Sequence, residues 1–319
     1  MRLFSRILLA GCGLCALSLA GFVGYKARSV AWELTDPPFY KPQPLSRVDG
    51  TYRDLAAGNG MDPGGTWAAQ EVDGLQLWHL HRAKPSRGLV LLLHGFGDDR
   101  WGTSPALQWF PELDAAIFTY LRRDDALRRG GPAPYVTFGA RESENVVSVV
   151  HHLEAQGTPR RRIILLGRSL GASVGLLALA KLEAEARGPL GGIIWEGPPA
   201  SSRDFGERLV RGPRDRFWHP GLAPLIGDLG SRWAARRGGY DRRDTDLRRI
   251  LAHRRLRTPG LCFLATQDRL APVEAQRAFA AAFEHMEIIE AETWHLHCAE
   301  VLGPRYPEAI KRATARWIP

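Results

Sequence analysis

Cysteine is scarce in this sequence, with four residues in 319, and that excludes a fold held together by a disulfide framework. Cys12 and Cys15 stand in the first apolar stretch, while Cys262 and Cys298 stand far downstream and read as free thiols rather than as a bridge. Internal repeats are missing too, so solenoid and propeller architectures drop out. The formal charge of +9 comes without aromatic stacking platforms or a recognisable nucleic-acid module, and no nucleic-acid partner is expected. His79 and His81 share one face of an alternating stretch, but the sequence supplies no third ligand beside them. They read as surface residues, and neither a metal nor an organic cofactor is expected.

What is present is ordinary globular material: 45% apolar and 24% charged residues over a length that suits one large α/β domain or two small ones. The amino terminus is the exception. Met1 to Arg6 is basic, and Ile7 to Tyr25 is 19 residues without a charge, close to the ~20 a helix needs to cross a bilayer. The first expectation is a transmembrane anchor over residues 1–27 with the remaining chain exported. The second is a signal peptide cut after Ser18-Leu19-Ala20 to leave a secreted form, with a lipoprotein reading of Leu9-Ala10-Gly11-Cys12 behind both. Residues 28–65, with Pro37-Pro38, Pro42, Pro44 and the glycines from Gly58 to Gly65, read as a linker and lead-in to a domain over 66–319.

The stretch around which that domain is organised runs from Arg161 to Ser173. Ile163 to Leu166 is fully apolar, as expected of a parallel strand buried on both faces. It runs into Gly167-Arg168-Ser169-Leu170-Gly171 and then an apolar helix from Val174. Glycines flanking a serine at a strand-to-helix bend leave the room that lets the hydroxyl stand out at the sheet's carboxyl edge. The helix that follows points its N–H groups at the place where negative charge develops when that hydroxyl attacks a carbonyl.

Strands are expected at Leu75–His81, Gly88–Leu93, Ala115–Tyr120, Gly191–Glu196, Thr258–Ala265 and Met286–Ala291, with helices over Glu142–Glu154 and Tyr306–Trp317. Their alternation predicts an α/β fold: an open, mostly parallel central sheet with helices on both faces. His94-Gly95-Phe96-Gly97 ends the second of these strands, and the backbone N–H groups of Phe96 and Leu170 are the expected oxyanion donors. A serine hydroxyl needs an imidazole to take its proton and a carboxylate to orient the imidazole. Asp268 follows the strand ending at Ala265, with Glu196 as a rival acid, and His295 follows the last strand, with His297 as a rival base.

With these pieces in place, the chain resembles a serine hydrolase of the α/β-hydrolase type, similar to single-domain relatives of the prolyl oligopeptidase catalytic domain. The resemblance rests on Asp73-Gly74, His94-Gly95-Phe96-Gly97, Phe138-Gly139-Ala140-Arg141-Glu142, Gly167-Arg168-Ser169-Leu170-Gly171, Gln267-Asp268 with Pro272, and His295. Two positions depart from the family pattern: Leu121-Arg122-Arg123-Asp124-Asp125 stands where an Asp-Arg-Gly-His-Gly-like loop is usual, and Thr266-Gln267 replaces the glycine before the acid. The resemblance implies hydrolysis of a carboxylic ester, thioester or amide through an acyl-enzyme. A peptidase, an acyltransferase and an inactive membrane-tethered binding module are the alternatives. The substrate class is a small-molecule or lipid-like acyl compound.

Residues 203–257 hold 15 arginines against 7 acidic residues. They fall within 198–257, where such enzymes carry a helical cap. They read as a solvated helical surface or as a face for an anionic membrane.

Overall fold

The computed structural model describes residues 2–37, 64–98, 100–123, 126, 131–212 and 220–318. The chain opens with helix α1 (Arg2–Thr35) and a hairpin of β1 (Gly65–Val72) and β2 (Leu75–Arg82). There follow β3 (Leu89–Leu93), β4 (Asp114–Ile117), α2 (Glu142–Ala155), β5 (Ile163–Arg168), α3 (Leu170–Ala184) and β6 (Gly192–Glu196). Helices α4 (Ser202–Arg211), α5 (Ala223–Gly238) and α6 (Leu247–Leu251) come before β7 (Gly260–Ala265). Then come α7 (Val273–Ala280), β8 (Met286–Ala291), α8 (Cys298–Leu302) and α9 (Arg305–Trp317).

The eight strands form one sheet in the order β1-β2-β4-β3-β5-β6-β7-β8. The pairs made by β2, with β1 and with β4, are antiparallel, and all the others are parallel. Period-two geometry sorts the side chains of β3 and β5 into two cores. Leu89, Leu91, Ile163 and Leu165 join the core shared with α1 to α5, while Val90, Leu92, Ile164 and Leu166 join the core beneath α9. Both faces of these strands are buried, which is why their sequence is a continuous apolar run and not an alternation.

The amino-terminal expectation is overturned: among the described residues, no helix is long and apolar enough to cross a membrane. Helix α1 does not stop at the end of the apolar stretch but continues through Lys26, Arg28 and Glu33 to Thr35, across residues read as the start of a linker. Its carboxyl half is a packed element of the domain. Val23, Ala27, Val30, Ala31 and Leu34 are buried in the main core, and a fully buried Val or Leu side chain stabilises by about 1.5–3 kcal/mol. A Cβ added at Gly230 of α5 would lie 2.6 Å from Val30, and one at Gly206 of α4 3.1 Å from it, so glycines let these helices approach α1 closely. The Thr35 carbonyl accepts the Val136 N–H at 2.9 Å, Asp36 pairs with buried Arg123, and the Arg237 guanidinium sits 3.4 Å above the Trp32 ring. The expected linker from 38 to 63 lies outside the described residues, as do Asp124 and Asp125.

Helices α4 to α6, over Ser202–Arg211, Ala223–Gly238 and Leu247–Leu251, fall within residues 198–257. Four arginines of this segment are held by acids within it: Arg211 by Glu207, Arg232 and Arg242 by Asp228, and Arg248 by Asp204. Their charge is thus used between and along helices. Cys262 and Cys298 are buried free thiols, and burial pushes both well above the ordinary thiol range.

Candidate active site

Ser169 occupies the bend between β5 and α3 with φ 53° and ψ −126°, a left-handed conformation that a non-glycine residue adopts at a cost of order 1–3 kcal/mol. The neighbours explain how the bend closes. A Cβ at Gly167 would lie 2.3 Å from the Gly171 carbonyl oxygen, and one at Gly171 would lie 2.2 Å from that of Leu93. Neither position can carry a larger residue. The bend is pinned by the Ser169 N–H donating to the Glu196 carbonyl at 2.9 Å, and by Ala172 and Ser173 N–H groups donating to the Ser169 carbonyl.

His295, from the loop after β8, lies with Nε2 3.0 Å from Ser169 Oγ and Nδ1 2.7 Å from Asp268 Oδ2. Asp268, from the loop after β7, has a fully buried side chain. Its other oxygen accepts the N–H groups of Leu270 and Ala271 at 2.8 and 2.9 Å. These three partners, one imidazole and two backbone N–H groups, leave the carboxylate one orientation. Residues 126 positions apart are brought together because all three loops emerge at the carboxyl edge of neighbouring parallel strands.

The two rivals lie elsewhere. The His297 ring is half-exposed and bonds Glu300 at 2.8 Å. The Glu196 carboxylate is buried and accepts from Arg168 Nε at 3.1 Å, the Cys298 N–H at 3.0 Å and the Tyr306 hydroxyl at 3.3 Å. Arg168 also donates to the Leu296 carbonyl at 2.6 Å. Glu196 and Arg168 thus grip the chain just after His295, at Leu296 and Cys298.

The loop after β3 lies against the bend: a Cβ at Gly95 would stand 3.8 Å from Ser169 Cβ. This brings Phe96 beside the start of α3, where Leu170 is the first helical residue. His94 is buried, with Nδ1 3.0 Å from the Gly95 carbonyl and Nε2 accepting the Tyr120 N–H at 3.3 Å. Burial lowers its pKa to about 4, against the pull of the Gly95 carbonyl and with help from Arg100. The neutral ring holds the loop against Tyr120. A narrow cavity here is lined by Pro37, His94, Phe96, Tyr120, Val136 and Leu170.

Beside it, Phe96, Phe138 and Phe205 form an aromatic cluster with ring centroids 5.1–6.3 Å apart. Phe138 sits in a turn held by Glu142, whose carboxylate accepts the N–H groups of Thr137 and Gly139 at 2.7 and 2.9 Å.

Sequence reasoning missed Gly197. Its φ is +61°, and a Cβ there would lie 2.8 Å from His295 Cε1 and 3.1 Å from Asp268 Oδ2. The glycine after Glu196 was the available signal, but nothing local tells that an imidazole from 98 positions away will press against it.

The chain belongs to the alpha/beta hydrolase family, whose profile matches residues 90–302. The match is to the family as a whole and does not single out the prolyl oligopeptidase branch. Among solved structures, the chain is similar to an esterase of Pyrococcus furiosus, at 15% identity and TM-score 0.59 over 81% of this chain and 95% of that one. It is also similar to an esterase/lipase from an uncultured bacterium, at 16% identity and TM-score 0.52 over 92% and 97% of the two chains. A third likeness is to a bacterial membrane phospholipase A, at 16% identity and TM-score 0.51 over 98% and 99%. At these identities the likeness establishes the shared fold. No curated protein matches the chain.

Proposed function

We propose that this protein is a serine hydrolase that cleaves carboxylic esters through an acyl-enzyme. The observation that carries the reading is the unbroken line from Ser169 Oγ through the His295 ring to Asp268, at 3.0 and 2.7 Å. Ser169 Oγ attacks the ester carbonyl carbon as His295 Nε2 takes its proton. Asp268 keeps the proton-bearing Nδ1 edge turned away from the serine and stabilises the imidazolium. The carbonyl oxygen becomes an oxyanion facing the backbone N–H groups of Phe96 and Leu170, the latter at the positive end of α3. Collapse of this intermediate breaks the bond to the alcohol, which leaves with the proton from His295. Water then attacks the acyl-serine with His295 again as base, releasing the carboxylic acid and restoring Ser169.

The aromatic cluster of Phe96, Phe138 and Phe205 supports an apolar acyl group on the substrate. The esterases named above favour an ester over an amide by likeness of fold. Reaction with a fluorophosphonate and hydrolysis of p-nitrophenyl esters of increasing chain length test the reading. Wild type and Ser173→Ala should be labelled and Ser169→Ala should not, since the Ser173 hydroxyl is buried and donates to the Pro199 carbonyl at 2.8 Å. An unlabelled wild type that hydrolyses none of these esters would overturn it.

A further inference from the structure

Of the two histidines read as surface residues, His81 is exposed and His79 is not. His79 is buried, with 8% of its surface exposed, and its Nε2 has no hydrogen-bond partner. His81, two residues on and on the same face of β2, is half-exposed. The antiparallel register of β2 with β4, His79 opposite Ala116 and Leu80 opposite Ala115, brings in Asp114, the first residue of β4. Asp114 Oδ2 lies 3.9 Å from His79 Nε2 and 4.0 Å from His81 Nδ1. All three potential ligand atoms lie within 4.8 Å of one another.

These distances are too long for hydrogen bonds and suit something between the groups. Bonds of about 2.0–2.2 Å to zinc put tetrahedral ligand atoms roughly 3.3–3.5 Å apart. The His79 and His81 rings stack with centroids 3.9 Å apart, so both imidazoles would rotate to converge on a shared ion at that spacing. The carboxylate is already oriented, because Asp114 Oδ1 accepts the Arg82 N–H at 2.9 Å. Such a bond is the outer support that ligating carboxylates commonly have. His81 provides the way in from solvent.

We propose that His79 Nε2, His81 Nδ1 and Asp114 Oδ2 bind one divalent transition-metal ion, zinc being the best match, with water completing the coordination. Two imidazoles and a carboxylate without thiolate fit zinc, and nickel or copper as competitors, over magnesium or calcium. The site lies at the amino end of β4, the opposite edge of the sheet from Ser169. The ion therefore takes no part in acyl transfer and instead clamps the antiparallel strand β2 to the parallel sheet.

The test uses purified full-length protein without a polyhistidine tag, stripped with chelator and titrated with zinc against a chromophoric competitor near neutral pH. One zinc per chain is expected, together with a zinc-dependent rise in Tm. His81→Ala, which changes a half-exposed side chain, and Asp114→Asn should each weaken binding at least tenfold and remove the Tm rise. Ester hydrolysis by both variants should stay unchanged, so the result is independent of the proposed function. If wild type binds no zinc, or if His81→Ala binds it as wild type does, the proposal is wrong.

Discussion

The two edges of the sheet carry the same chemical groups at different spacings. At the carboxyl edge, His295 and Asp268 meet at 2.7 Å, the carboxylate is fully buried, and its second oxygen is held by two backbone N–H groups. At the amino edge, His79 and His81 stand 3.9 and 4.0 Å from Asp114, whose second oxygen is held by one. In contact, a carboxylate orients an imidazole and stabilises its protonated form. With a gap, the same pair leaves room for an ion. Spacing, rather than residue type, separates the proposed proton-transfer pair from the proposed ligand set.

The largest expected effect separates the two edges outright. Asp268→Asn should lower kcat for a short ester by about 10⁴-fold, and His295→Ala by at least as much. His297→Ala should stay close to wild type. Comparable losses from Asp114→Asn would merge the two constellations and break the contrast. Steady-state kinetics on p-nitrophenyl acetate decides between these outcomes.

A smaller effect is expected from Glu196, which positions the His295 loop without touching Ser169 Oγ or the His295 ring. Glu196→Gln weakens the grip of Arg168 and the Cys298 N–H, and should lower kcat by about 10- to 100-fold with KM little changed. Equal effects on kcat and KM would point to a collapsed pocket instead.

Buried His94 sharpens the contrast by having no carboxylate bonded to it. His94 titrates near 6.5 in the unfolded chain and near 4 in the folded one, so below 6.5 the unfolded chain binds the extra proton. Its contribution is therefore present at neutral pH and lost as pH falls from 6.5 towards 4, by up to about 1.4 kcal/mol per pH unit. Urea unfolding of wild type and His94→Gln at pH 7, 6 and 5 should show a shallower decline in the variant. Parallel declines would mean that this ring is not held neutral. The smallest effect is at the amino edge: His81→Ala should leave kcat/KM within about twofold, as read in the same ester assay.

Much of the carboxyl edge was legible because its signals are local. The apolar run Ile163–Leu166, the glycines at 167 and 171 and the helix from Leu170 are contiguous, so one stretch specifies strand, bend and helix together. Met286–Ala291 matches β8 residue for residue, and Asp268 and His295 follow their strands at the distance a loop allows. The choice between Asp268 and Glu196 was not legible, since both end or follow buried strands. Only the positions of Arg168, Cys298 and Tyr306 occupy Glu196 with another task.

The amino terminus misled for the opposite reason. Most buried side chains of α1, Ala27, Val30, Ala31 and Leu34, lie past the uncharged stretch Ile7–Tyr25, whose Leu14, Leu17 and Leu19 are exposed. Val30 and Leu34 find α4 and α5, which lie more than 160 positions downstream.

Periodicity and bend chemistry act between neighbours in the chain, and they determined that this protein has a parallel sheet with a serine raised at one edge. Which imidazole reaches that serine, which carboxylate is left for Asp114's two histidines, and where the first helix lies depended on strand order and register. Those bring together atoms that no local pattern relates, and only the folded chain decided them.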